Sequence, residues 1–128
     1  MIIKHKQDII GSEHDIDTPT WRSYRMLLKK DGMGFSFNHT IIKAGTETYI
    51  WYKNHLEAVY CIKGEGEIEL VKSKEVFPIS QGTLYALNEH DKHYLRAFSD
   101  MHMICVFNPP LVGNEVHDED GIYPLLYE

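Results

Sequence analysis

Along most of the chain, apolar and polar positions alternate with a period of two. The cleanest run is FSFNHTII at 35–42, where Ser36, Asn38 and Thr40 share one face of an extended strand and Phe35, Phe37 and Ile41 the other. LEAVYCI at 56–62 alternates in the same way, with Glu57, Val59 and Cys61 opposite Ala58, Tyr60 and Ile62. Further short strands are predicted at 67–71, 75–78, 83–87, 93–98 and 101–108, separated by Lys72-Ser73-Lys74, Ser80-Gln81-Gly82 and the turn at 88–92. In WRSYRMLLKK at 21–30 the apolar residues are spaced as in a helix, but Asp31-Gly32-Met33-Gly34 demands a hairpin-like turn, so a strand is expected there too. Residues 1–20 carry weak signals and read as an extended arm covering another part of the molecule.

Turn signals at roughly eight- to twelve-residue spacing, with no long helix, predict an all-β sandwich or barrel. At 128 residues the chain is expected to form one domain over 1–128. A strand with small polar groups on one face and bulky apolar groups on the other suits a barrel enclosing a polar ligand, or a polar face that is merely solvated. The tail at 109–121, punctuated by Pro and Gly, is either an acidic surface loop or a lid bringing Glu115 and His117 over a barrel mouth.

Composition narrows the functional classes. A net charge of −6 and the absence of a Lys/Arg cluster argue against nucleic acid as a partner. No apolar run approaches the length of a membrane span, so no membrane partner is expected. The opening MIIKHKQDIIGSEHD lacks an uninterrupted apolar core and a small-residue cleavage site, so a secretory signal is not expected. Cys61 and Cys105 fall inside strands without zinc or redox spacing, and a cytoplasmic protein with buried, reduced cysteines is the simplest account.

Glu57 is the anomalous position. Its neighbours on its own strand face are apolar and none is basic. Either it lies wet at a strand end, or it is a buried carboxylate that needs a partner charge or a metal.

The spacing of Gly45, Glu57 and Gly64 matches the first motif of cupin barrels, with Trp51 and Lys53 where that motif has histidines; in the second motif Tyr85, three residues after Gly82, replaces a histidine. Longer strings are more specific: KDGMGFSF (30–37), GTET (45–48), NHLEAVYCIKGEGEIE (54–69), HDKHYLRA (90–97), ICVFNPPL (104–111) and EVHDEDGIYPLL (115–126). In this order, from Trp21 onward, the chain resembles the ectoine synthase family of cupins. Asn38-His39 and Tyr49 depart from the family's usual residues at those places.

The resemblance implies a jelly-roll-like cupin barrel with a C-terminal lid. It also implies iron, with manganese or zinc as alternatives, held by Glu57, Tyr85 and His93, an O,O,N donor set with open positions. The implied reaction closes N4-acetyl-L-2,4-diaminobutyrate to the cyclic amidine ectoine, a compatible solute, with loss of water. Arg25 would clamp the substrate carboxylate, its planar fork suiting that group better than a lysine would. Trp21, Tyr52 and Phe107 would form walls, and Asn38, Thr40 and Cys105 the floor. Glu115 and His117 would close the mouth, one of them taking the amine proton. By analogy with cupins that pair edge to edge, a homodimer is expected. A non-catalytic ligand-binding cupin and a different metal-dependent cupin enzyme are the competing readings.

Overall fold

The structure is a computed structural model that describes residues 1–124. A short helix, α1 (Lys6–Ile9), is followed by ten strands: β1 (Asp15–Asp17), β2 (Trp21–Leu27), β3 (Ser36–Ile42), β4 (Glu47–Ile50), β5 (Leu56–Lys63), β6 (Gly66–Leu70), β7 (Val76–Ile79), β8 (Leu84–Leu87), β9 (His93–Ala97) and β10 (Met101–Asn108). They form two antiparallel sheets, one in the order β1-β2-β3-β10-β5-β8 and the other β4-β9-β6-β7. From β3 to β10 the chain mostly switches sheet with each strand, which gives a cupin-type jelly-roll barrel. Among the described residues, no helix is long and apolar enough to cross a membrane.

The 21–30 segment is a strand only to Leu27; the 3-10 turn Lys29–Asp31 and the positive-φ residues Gly32 and Gly34 then reverse the chain. The N-terminal arm is not wholly extended. It makes α1, whose Ile9 is buried, before β1 pairs with β2.

Strand β3 runs against the ordinary hydropathy rule. Ser36, Asn38 and Thr40 are buried in the barrel, while Phe37, His39 and Ile41 lie half-buried on the outer face. Inward-facing Val59, Leu95, Met103 and Phe107 supply apolar core around that polar strip.

Two glycines permit close backbone approaches. A Cβ on Gly64 (φ +101) would overlap the Asp100 carbonyl oxygen, so only glycine lets the β5–β6 turn pack there. A Cβ on Gly121 (φ +76) would lie 2.7 Å from the Tyr49 carbonyl oxygen. That second contact seats the C-terminal segment. From Pro109 the chain folds back across the barrel mouth as a lid, held by backbone bonds from Lys29 N–H to the Leu111 carbonyl (2.8 Å) and from Trp51 N–H to the Gly121 carbonyl (2.7 Å).

Candidate active site

The six-stranded sheet builds the site as cross-strand rows. Directly opposed residues of an antiparallel sheet share a face. Arg25 on β2 therefore stands beside Asn38 on β3, then Cys105 on β10, Val59 on β5 and Tyr85 on β8. The adjacent row is Ser36, Phe107, Glu57 and Leu87. Neighbouring strands are only about 4.8 Å apart, so these side chains converge whatever their distance along the chain. The facing sheet contributes His93 on β9, paired with Ile50 on β4.

A narrow cavity lies between the sheets. Its walls include Trp21, Asn38, Thr40, Tyr52, Glu57, Tyr85, Cys105, Phe107 and His117, and also Tyr123, to which the sequence pattern assigned no role. The free space is about 30 Å³, room for roughly one or two water molecules.

Glu57 is buried and, among the described residues, has no basic partner. Desolvation pushes its carboxyl up to about 8, with a hydrogen bond from the Cys105 thiol acting weakly the other way. This has a testable consequence in metal-free protein. The folded pKa lies above the ordinary glutamate value of 4.5, so between those two values the native state holds a proton that the unfolded chain has released. The carboxyl has no effect on stability below the window, destabilises increasingly as pH rises through it, and levels off above it. With each unit worth about 1.4 kcal/mol, Glu57→Gln is expected to melt above metal-free parent at pH 8, with little difference at pH 4.5. Thermal melts across that range check it; a constant difference would count against a buried, unpaired Glu57.

His93 is fully buried. Its Nδ1–H donates to the Asp91 carbonyl at 2.9 Å, which leaves the Nε2 lone pair free. Among the described residues that Nε2 has no hydrogen-bond partner. Burial lowers its pKa and keeps the ring neutral. His93 is not itself a cavity wall, but its ring packs 6.4 Å from that of Tyr52, which is. Tyr85 is half-buried, and burial raises its phenol well above the ordinary value. Among the described residues, no three or more of His, Cys, Asp and Glu gather as a metal site would; this trio includes a phenol.

Arg25 lies behind the cavity wall rather than in it. It is wholly buried, its Nη2 donates to the Tyr123 hydroxyl at 3.4 Å, and its Nη1 lies 3.8 Å from Glu115 Oε1. The Glu115 carboxylate accepts the backbone N–H groups of Val112 (2.8 Å) and Gly113 (2.9 Å). It thereby ties the lid's own turn to the barrel's cation. His117 Nε2 shares a 2.8 Å hydrogen bond with the Tyr52 hydroxyl, and burial, then the charge of Arg25, lowers its pKa to about 3.

The rings of His55 and Phe107 meet edge to face at 5.8 Å, and His55 Nδ1 is buried without a partner among the described residues. His55 lies two residues before Glu57, so strand alternation alone would have placed it on the same face.

The ectoine synthase family model matches residues 1–127. The chain belongs to the ectoine synthase family. L-ectoine synthase from Oceanobacillus iheyensis is 61% identical over 128 residues, covering 100% of both chains, and that from Halalkalibacterium halodurans is 62% identical over 120 residues, covering 94% of this chain and 93% of the other. The crystal structure of ectoine synthase from P. lautus superposes with a TM-score of 0.89 at 66% identity, covering 100% of this chain and 92% of that one. A cupin domain of a transcriptional regulator from Enterobacter cloacae, 16% identical with a TM-score of 0.59 over 71% of this chain and 98% of that one, shares the fold alone. As an ectoine synthase family member the chain is an enzyme of the hydro-lyase class, a carbon–oxygen lyase.

Proposed function

We propose that this chain closes N4-acetyl-L-2,4-diaminobutyrate to ectoine with loss of water, using a metal held by Glu57, Tyr85 and His93. One observation carries the reading: among the described residues, Glu57 lines the cavity as a buried carboxylate without a counter-charge, and Tyr52, another of its walls, packs against His93, whose Nε2 is buried and unpartnered. Each is unfavourable alone, and each is what a cation's ligand looks like before the cation is counted. The carboxylate, phenol and imidazole set fits iron, with manganese or zinc as the nearest alternatives. When bound, such an ion supplies Lewis-acid polarisation of the acetamide oxygen.

The protein's own groups do the rest. Trp21, Tyr52 and Phe107 exclude water and fold the flexible chain so that its α-amine meets its own acetamide carbon. Such positioning can contribute several kcal/mol, about 7–11 at the extreme. Asn38, Thr40 and Cys105 form the floor under it, and Arg25 receives the carboxylate. A C–N bond forms, the carbonyl C–O bond breaks, and the oxygen leaves as water with two protons from nitrogen. His117 is the acceptor for the amine proton, because it lines the cavity, whereas Glu115 does not and has both oxygens engaged by backbone N–H groups. The substrate carboxylate neutralises Arg25, one of the two main causes holding His117 low, so binding makes the imidazole more basic. His117→Ala is therefore expected to keep its metal and its KM within a few-fold while kcat falls about 10²–10⁴-fold; an unchanged kcat would remove the role.

The direct test is to incubate the purified, iron-loaded protein with the acetylated diaminobutyrate and follow product by chromatography. Absence of product overturns the reaction, and equal product after chelation overturns the metal's part. Two further expectations accompany this reading. The unpaired edge of β8, where Leu84 is exposed beside an apolar groove reaching β7, supports a homodimer. Buried, unpaired Cys61 and Cys105 support a reducing cytoplasm.

A further inference from the structure

Two walls of the cavity, His117 and Tyr123, come from the lid rather than the barrel, and the proposed reaction gives no task to Tyr123. It arrives on the lid, its ring stacked on His117 with centroids 4.4 Å apart and 16° between planes, and it packs against Tyr52 at 4.9 Å and Phe107 at 5.6 Å. Its hydroxyl takes the Arg25 Nη2–H at 3.4 Å, while Arg25 Nη1 has no hydrogen-bond acceptor among the described residues. With the ring seated, the 30 Å³ left in the cavity is too small for an acylated diamino acid, and Arg25 is shut off from it.

We propose that Tyr123 is an internal occupant of the substrate's slot: its ring fills the aromatic cleft and its hydroxyl stands on Arg25 where a ligand carboxylate would sit. This rests on the proposed function for the identity of the competing ligand. An acylated diamino acid binds by displacing Tyr123, so the seated state lowers apparent affinity by the fraction of molecules in which the slot is free. Tyr123 thereby sets how strongly a candidate substrate must engage Arg25 in order to enter. It selects for a carboxylate and takes no part in the chemistry. Its hold on the barrel is separable from its side chain, because the Tyr123 carbonyl accepts the Asn54 side-chain N–H at 3.0 Å.

Three substitutions test this. Tyr123→Phe removes the hydroxyl that competes for Arg25 and keeps the ring. The expected result is a KM lower by roughly three- to tenfold, since a long hydrogen bond to a charged group sits at the weak end of its range, with kcat unchanged within twofold. Asn54→Ala loosens the anchor without touching the slot and is expected to lower KM in the same sense. A raised or unchanged KM in Tyr123→Phe, or a tenfold loss of kcat, overturns the proposal and makes Tyr123 a wall of the bound complex. A second readout needs no turnover. In a Trp51→Phe background the remaining tryptophan is Trp21, buried against Tyr123 with ring centroids 6.4 Å apart. Acrylamide quenching of its fluorescence is expected to rise in Tyr123→Ala and to fall again as the acetylated diaminobutyrate is added. Equal quenching with and without the tyrosine ring overturns the seating. Failure of the underlying reaction looks different: the parent neither binds that compound by calorimetry nor converts it, whereas the quenching difference persists.

Discussion

Glu57→Ala should purify without stoichiometric iron and form product at least about a thousandfold more slowly, a loss of roughly 4 kcal/mol of transition-state stabilisation. The size of the effect follows from the residue's setting. Glu57 sits in the row Ser36, Phe107, Glu57 and Leu87, where no neighbour can take over as an oxygen ligand in the same plane without reaching across a strand. Cys105 is close, but burial drives its thiol well above the ordinary value, so it does not offer a thiolate in exchange. The fold is expected to survive, because the change removes a buried carboxyl without a counter-charge rather than a packing anchor. Metal analysis and product chromatography on one preparation decide the matter. Parental iron content in the variant would refute Glu57 as a ligand even if activity were lost.

Arg25→Ala is expected to raise KM at least about a hundredfold, near 3 kcal/mol, while iron content stays at the parental level. Removing this one cation leaves the wholly buried Glu115 carboxylate without the positive charge 3.8 Å away. Breaking a buried pair on one side is far more damaging than deleting both partners, so a lower melting temperature should accompany the kinetic change. Arg25→Lys is expected to rescue stability better than KM, since an ammonium restores charge but cannot present two parallel donors to a carboxylate. Unchanged steady-state kinetics in Arg25→Ala would eliminate the clamp.

Eight of the ten described strands were legible, all but the short β1 and β4, because a two-residue period survives wherever a sheet has one wet and one dry side, and β3, β5, β9 and β10 all do. Helix α1 was not. Four residues, KQDI, bury one side chain and give no periodicity to read. The inward face of β3 was legible as polar, and only the closed barrel decided that this face is buried rather than solvated. His55 could have been found from its place in the Glu57 alternation, but a lone histidine at a strand's approach carries no chemistry of its own. Tyr123 could not, because nothing in the lid's local pattern says that its turn, tied by Asp118 to the N–H groups of Asp120 and Ile122, delivers a ring into the barrel. Arg25 was legible as a cation and illegible as a screened one, since its distance from the cavity depends on a residue 98 positions away.

The inverted strand β3 bears on any attempt to make this enzyme more robust. Ser36 Oγ and Asn38 Oδ1 are buried without partners among the described residues, and replacing them with aliphatic side chains of similar volume is the first repair a stability-minded engineer would choose. Here the weak plank is the workbench. Hardening the protein is better directed at its periphery, where the Arg96 fork already ties Glu47, Glu67 and Glu69 across three strands.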